Sequence, residues 1–340
     1  MISKTIKSLA ALLAATLVFQ IVVVGQTSNS NARSVRPTPS TLLASLPQSD
    51  AIAQVKVKKL LTDVMPKVLA SNSGKLAELN TNIENFKTRT GLDPRSFDEV
   101  ALSVRYTYPS EGVTKLITAA LARGTFSPGA MVAAGRLATN GNYREEKYGG
   151  KDVYVFKLDE NLRVFGVIDL RIRELAACPI DANTLALGDP ASIRTVIDAN
   201  AGRTFTNPEL VNLANNNPNA VIGFGGNISP QVIKNLDIAN ASLTGDLSGL
   251  RQAYGSVDAT EKDLEIFLGA KTVDSNAARD LGDTLEGLKQ FGALFVGRLT
   301  GAKGVLAKSA LTNLKILTQA NELQIRTAVA QADIGPLVGN

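Results

Sequence analysis

The sequence predicts an α+β fold, with antiparallel sheets built from hairpins, helices packed on one face and an internal duplication. Three observations carry that expectation. Apolar and polar residues alternate over short runs joined by turns too short for a crossover, as in REEKYGGKDVYVF (144–156) and NELQIRTAVA (321–330), and such turns join antiparallel neighbours. Helical stretches fall between groups of strands rather than after each strand. A strand–glycine–cap–helix pattern recurs at ITAALARGTFSPGAMVAAGRL (117–137), TLALGDPASIRTVIDA (184–199), AVIGFGGNISPQVIKNL (220–236) and, more loosely, LEIFLGAKTVDSNAARDLGDTL (264–285). A parallel, doubly wound sheet is the alternative that the short turns disfavour.

In chain order, Lys4 and Lys7 precede the apolar run Leu9–Val24, which reads as a signal peptide over residues 1–25. The alternative is an uncleaved anchor, although sixteen residues make only about 24 Å of helix. Residues 26–47 are rich in Ser, Asn, Thr and Pro and read as a flexible tether, so folded structure is expected from about Ser49. A first α+β half is expected over 48–205 and a second over 206–340. DAIAQVKV (50–57) alternates as a strand, and residues 58–69 have helical period with a kink expected at Pro66. Leu76, Leu79, Ile83 and Phe86 form one face of a helix that stops near Gly91. Residues 100–188 hold six strands and one helix. Their turns are expected at PSEG (109–112), Gly149-Gly150, Asp159–Asn161 and Asp181–Asn183. Asp189-Pro190, Asn207-Pro208 and Ser229-Pro230 each carry a capping acceptor before a proline and open helices. Two strands flank Ala259–Lys262. The longest helix is expected over Asn276–Leu299, before a closing hairpin that turns at Ala320-Asn321.

Composition narrows the chemistry. The 340 residues carry a net charge of +5, which falls to +3 without Lys4 and Lys7, and bases and acids are interspersed. That pattern is not the basic stripe of a nucleic-acid binder. Histidine is absent and Cys178 is the only cysteine. The commonest general base, the commonest metal ligand and the usual partner of a thiol nucleophile are therefore missing. Within LAAC, Cys178 reads as a small buried hydrophobe. The glycine-rich stretches GFGGN (223–227) and GTFSPG (124–129) match no nucleotide-binding pattern, so no cofactor is expected. Glu145 and Glu146 are adjacent on a strand and point to opposite faces.

The segments SDAIAQVKVKKLL, TGLDPRSFDEVALSVRY, ALARGTF, YGGKDVYVF, NTLALGDPASIRTVID and NELQIR together resemble a group of uncharacterised exported bacterial proteins. The resemblance covers roughly residues 46–338. It implies an extracytoplasmic α+β protein and brings no catalytic or binding residue with it.

The function expected is therefore that of a non-catalytic extracytoplasmic protein, periplasmic or in the cell envelope, that binds a partner or has a structural role. The alternatives are a carrier of lipid or another apolar ligand and, more weakly, a carboxylate-dependent hydrolase. The partner is expected to be a protein or an apolar ligand. Membrane contact is expected only through residues 9–24 if they are retained. Two candidate surfaces stand out. One is Phe291, Leu294 and Phe295, on a helix whose second half is apolar all round, which reads first as buried and otherwise as a partner surface. The other is Tyr108, Tyr148 and Lys151 at hairpin tips.

Overall fold

A computed structural model of the protein describes residues 42–90, 92–110, 113–164, 168–204, 206–230, 233 and 245–337. The expected signal segment and the tether up to residue 41 lie outside the described residues. The chain forms two compact units: among the described residues the first takes 42–58 and 80–211 and the second 59–79 and 212–337. The second unit is thus discontinuous, unlike the single cut expected at 205/206. Residues 59–79 belong to it because Val64, Val68 and Leu69 form a buried cluster with Val221, against which Leu76, Leu79, Leu264 and Ile334 pack.

Folding also begins before the expected Ser49. Leu42–Ser45 is a 3-10 turn, and Leu42, Leu43 and Leu46 are fully buried. The Thr206 hydroxyl donates to the Leu46 carbonyl at 2.6 Å, and Asn200 donates to that of Ser45 at 3.1 Å. The polar composition of 26–47 hides three leucines that outweigh it.

The first unit holds β1 (Ala51–Val55), β2 (Phe97–Ser110), β3 (Val113–Gly124), β4 (Tyr143–Tyr148), β5 (Lys151–Val164), β6 (Ile168–Pro179) and β7 (Thr184–Gly188). They lie in the order β1-β2-β3-β7-β6-β5-β4, antiparallel throughout. The second unit holds β8 (Ile222–Asn227), β9 (Leu250–Ala259), β10 (Asp263–Thr272), β11 (Lys315–Gln319) and β12 (Glu322–Ala330), in the order β8-β9-β10-β12-β11. These pairs too are antiparallel. Helices are α1 (Ser73–Thr90), α2 (Pro128–Ala138), α3 (Pro190–Asn200), α4 (Pro208–Ala214), α5 (Ser275–Val296), α6 (Gly301–Thr312) and α7 (Gln331–Ile334).

The α+β class and the antiparallel hairpins hold, and the duplication shows in topology. In each unit the third strand leads to a helix, and the last strand returns to pair with that third strand. The first unit adds the hairpin β4–β5 beyond this shared plan. Of the four look-alike stretches, 117–137 and 264–285 occupy equivalent places. The stretch 184–199 follows a last strand and 220–236 a first one. The pattern recurs because any strand-to-helix joint needs a chain reversal and a cap. In 117–137, Ser127 accepts from the Ala130 N–H.

Most local expectations stand. Gly149 and Gly150 take φ of 57° and 78° in a two-residue turn that sets Tyr148 opposite Lys151, as such hairpins require. Ala320 turns the closing hairpin with φ of 52°. Residues 57–68 form a further short helix, which widens before Pro66 to a π turn over Leu60–Val64, where a proline interrupts the regular ladder. Asp159–Asn161 is not a turn: β5 continues to Val164, with a register shift between Lys157 and Glu160. Pairing with β6 overrides the turn-forming residues there. Helix α6 was not expected at all.

The expected single helical layer is split. Glu145 pairs with Arg136 of α2, and Tyr143 accepts from the same arginine. Glu146 pairs with Arg194 of α3, and the Tyr148 hydroxyl donates to Asp198 of α3. Residues of opposite parity on β4 therefore reach helices on opposite faces. In the second unit, Leu323 meets α5 and Thr327 bonds α6, so both of those helices share a face of β12.

Candidate functional site

The site rests on the two helices that follow β10. Asp274 caps α5 by accepting from the Ala277 N–H at 2.9 Å, an acceptor where the helix leaves donors unpaired. The first three turns are anchored. Ala278, Leu281 and Gly282 are buried, and the Thr284 hydroxyl donates to Asp246 at 2.6 Å. Where α5 crosses the closing hairpin there is no room for a side chain: a Cβ on Gly282 would stand 2.6 Å from the Thr318 Oγ1.

Beyond Lys289, which pairs with Glu286, the helix leaves that support. Leu288, Phe291, Leu294, Phe295 and Leu299 are exposed, Phe291 by 60% and Leu294 by 73%. The Phe291 and Phe295 rings touch with centroids 4.6 Å apart and planes tilted by 50°, and the Arg298 guanidinium lies 5.6 Å from the Phe295 ring. The chain then turns back as α6, which adds exposed Val305. Two bonds tie α6 to β12: Thr327 to the Ala310 carbonyl at 2.7 Å, and Asn313 to that of Ala328 at 2.8 Å. The result is a two-helix tip, apolar on its outside and fastened at both ends. Burying one such side chain is worth about 1.5–3 kcal/mol, so anything that covers the tip gains substantially.

For Phe291, Leu294 and Phe295 burial is the favoured expectation and a partner surface the other, and the structure goes against burial. They lie together at this tip and are exposed, and the apolar side of the helix changes surroundings along its length: Leu281 is inside, whereas Phe295, fourteen residues on and on nearly the same face, is outside. Sequence periodicity missed α6, whose apolar residues follow no helical face. The signal that could have found the site is charge: residues 287–321 contain five bases and no acid.

Tyr108, Tyr148 and Lys151 do not form a common surface. Tyr148 and Lys151 face each other across the β4–β5 turn, whereas Tyr108 is on β2, from which β3, β7 and β6 separate β5. The Tyr148 hydroxyl is held by Asp198 at 2.9 Å, which pushes its pKa up. Lys151 Nζ donates to the Ile180 carbonyl at 2.7 Å. Both side chains brace the hairpin against its neighbours.

Other reactive groups are similarly occupied. Burial pushes the Cys178 thiol up to about 11. Glu99 is half-buried, which raises its pKa against the opposing pull of Arg123 and Lys56, and it accepts from Gln54 at 2.8 Å. Glu146 and Glu174 are lowered by hydrogen bonds from Arg194 and Arg144 respectively. Among the described residues, no three His, Cys, Asp or Glu side chains are grouped as metal ligands, and no helix is long and apolar enough to cross a membrane.

The chain is similar in fold to TP0453, a Treponema protein, in three of its crystal forms. Form III matches with a TM-score of 0.47 at 8% identity, covering 90% of this chain and 97% of that one. Forms I and IV match with TM-scores of 0.46 and 0.44 at 9% and 10% identity, each covering 90% of this chain and 97% and 98% of theirs. The likeness carries no residue role across. No family model matches the chain, and no curated protein matches it.

Proposed function

We propose that the protein is a non-catalytic binding protein of the periplasm or cell envelope, and that its contact surface is the α5–α6 tip. One observation carries this reading: Phe291, Leu294 and Phe295 face solvent side by side at the end of an anchored helix. Clustered exposed apolar side chains are a marker of contact surfaces. The absence of histidine and the buried thiol support a non-catalytic role. The location rests on the reading of residues 1–25. The carrier alternative needed the apolar side of residues 281–299 to roof a cavity, and its outer half points the other way.

A photo-crosslinking amino acid at position 291 of the intact chain, in cells that make it, tests the reading. An adduct is expected at 291 and not at a second probe placed at 148. No adduct at 291, or turnover of a substrate by the purified protein, overturns it.

A further inference from the structure

The charges around the tip say what covers it. From 287 to 321 the chain carries Lys289, Arg298, Lys303, Lys308 and Lys315 and no acidic residue. Lys289 is paired with Glu286, while Arg298, Lys303 and Lys308 are exposed. Arg298 follows the exposed phenylalanines, and Lys303 and Lys308 are exposed on α6, the helix into which the chain turns after them. A helix with Phe and Leu on one side and Lys and Arg beside them has the makeup of an interfacial element, which seats its apolar face at the boundary of headgroups and acyl chains. Such a face gains from apolar burial and from attraction of its bases to anionic lipid.

Resting on the binding role above, we propose that the α5–α6 tip docks on the surface of an anionic lipid bilayer, with Phe291, Leu294 and Phe295 inserted and Arg298, Lys303 and Lys308 among the headgroups. A second copy of the chain fits less well, because a two-fold pairing of tips brings the same unopposed bases together. The contact is separate from residues 9–24, which are the only membrane contact expected from hydropathy.

The test must read the tip itself, since residues 9–24 can bind lipid if retained. Leu294→Cys in the full chain is labelled with a nitrobenzoxadiazole fluorophore. Leu137→Cys on α2 serves as control, because that leucine is also exposed, at 79%. Buried Cys178 takes no label, and wild-type protein treated alike checks this. Phosphatidylcholine vesicles containing phosphatidylglycerol should brighten the label at 294 and shift it to the blue, and leave that at 137 unchanged. Lys303→Glu with Lys308→Glu should weaken the response by about tenfold or more, at one kcal/mol or so per charge, and added salt should weaken it too. No change at 294, an equal change with pure phosphatidylcholine, or an equal change at 137 overturns the proposal. If the label stays unchanged while the probe at 291 captures a protein, the lipid inference falls and the binding role stands. If neither responds, both fall.

Discussion

In both units the third strand hands the chain to a helix, and the last strand comes back to pair with that third strand. The helix in this shared place differs sharply between them. In the first unit α2 is 11 residues long, ends at the hairpin it packs on, and buries Met131 and Val132. In the second unit α5 is 22 residues long, about 33 Å, and only its first half meets the sheet. Both helices use a glycine at the crossing: a Cβ on Gly135 would stand 3.0 Å from the Phe156 ring, and one on Gly282 would stand 2.6 Å from Thr318. The shared part of the plan fastens helix to sheet. The extra turns of α5, and α6 after them, extend beyond what fastening needs and carry the exposed apolar residues. The two units share the joint, and only the second extends it into a surface.

That contrast can be broken at several points. Leu281→Ala empties a site that is 2% exposed and should cost about 2–5 kcal/mol, read as a lower urea midpoint. A loss under about 1 kcal/mol would mean that the inner half of α5 is not anchored as described. Gly282→Val and Gly135→Val should each cost about 1–3 kcal/mol by overpacking, with the first the worse because its contact is closer. If only one of them destabilises, the two crossings are not equivalent. Tyr148→Phe removes one hydrogen bond to Asp198 and should lower the urea midpoint slightly without changing capture at position 291.

Acid tests the first unit further. Arg95 holds the Asp93 carboxyl down to about 2, from an ordinary 3.8, by side-chain hydrogen bonds. A depressed carboxylate pKa adds stability above the unfolded value, and that contribution is lost as pH falls toward the folded one. The gap in urea midpoint between the wild-type and Asp93→Asn proteins should therefore be constant above about pH 5 and close as pH falls from 4 toward 2. A gap independent of pH would assign Asp93 to capping alone. The smallest effect is expected at the tip: Leu294→Ala should change stability by no more than about 0.5 kcal/mol, although it lies on the same helix as Leu281. Equal losses at the two positions would show that the outer half of α5 is buried in solution.

Much of the fold was legible because its signals act over a few residues. Gly149-Gly150 supplies the positive φ of a two-residue turn, Asn207 accepts from the Glu209 N–H at the start of α4, and the alternation of Leu323, Ile325, Thr327 and Val329 tells one face of β12 from the other. Glu145 and Glu146 had to point apart, and each meets a different helix. The failures share one cause. At Asp159–Asn161 a strand partner overrode local turn chemistry. At residues 42–47 three leucines found a core across the chain, through partners such as Thr206 and Asn200. The placement of α2 and α3 on opposite faces depends on where each loop leads.

The candidate site divides along the same line. The amino-acid sequence determines that a long helix with a broad apolar side precedes the closing hairpin, that residues 287–321 carry five bases and no acid, and that Cys178 has no histidine to activate it. Periodicity, charge and neighbouring residues are properties of the chain itself. Only the tertiary structure decided that Leu281 is inside while Phe291 and Leu294 are outside, and that Tyr148 and Lys151 are braces. Burial depends on what stands opposite, and the hairpin β11–β12 extends along only half of the helix it supports.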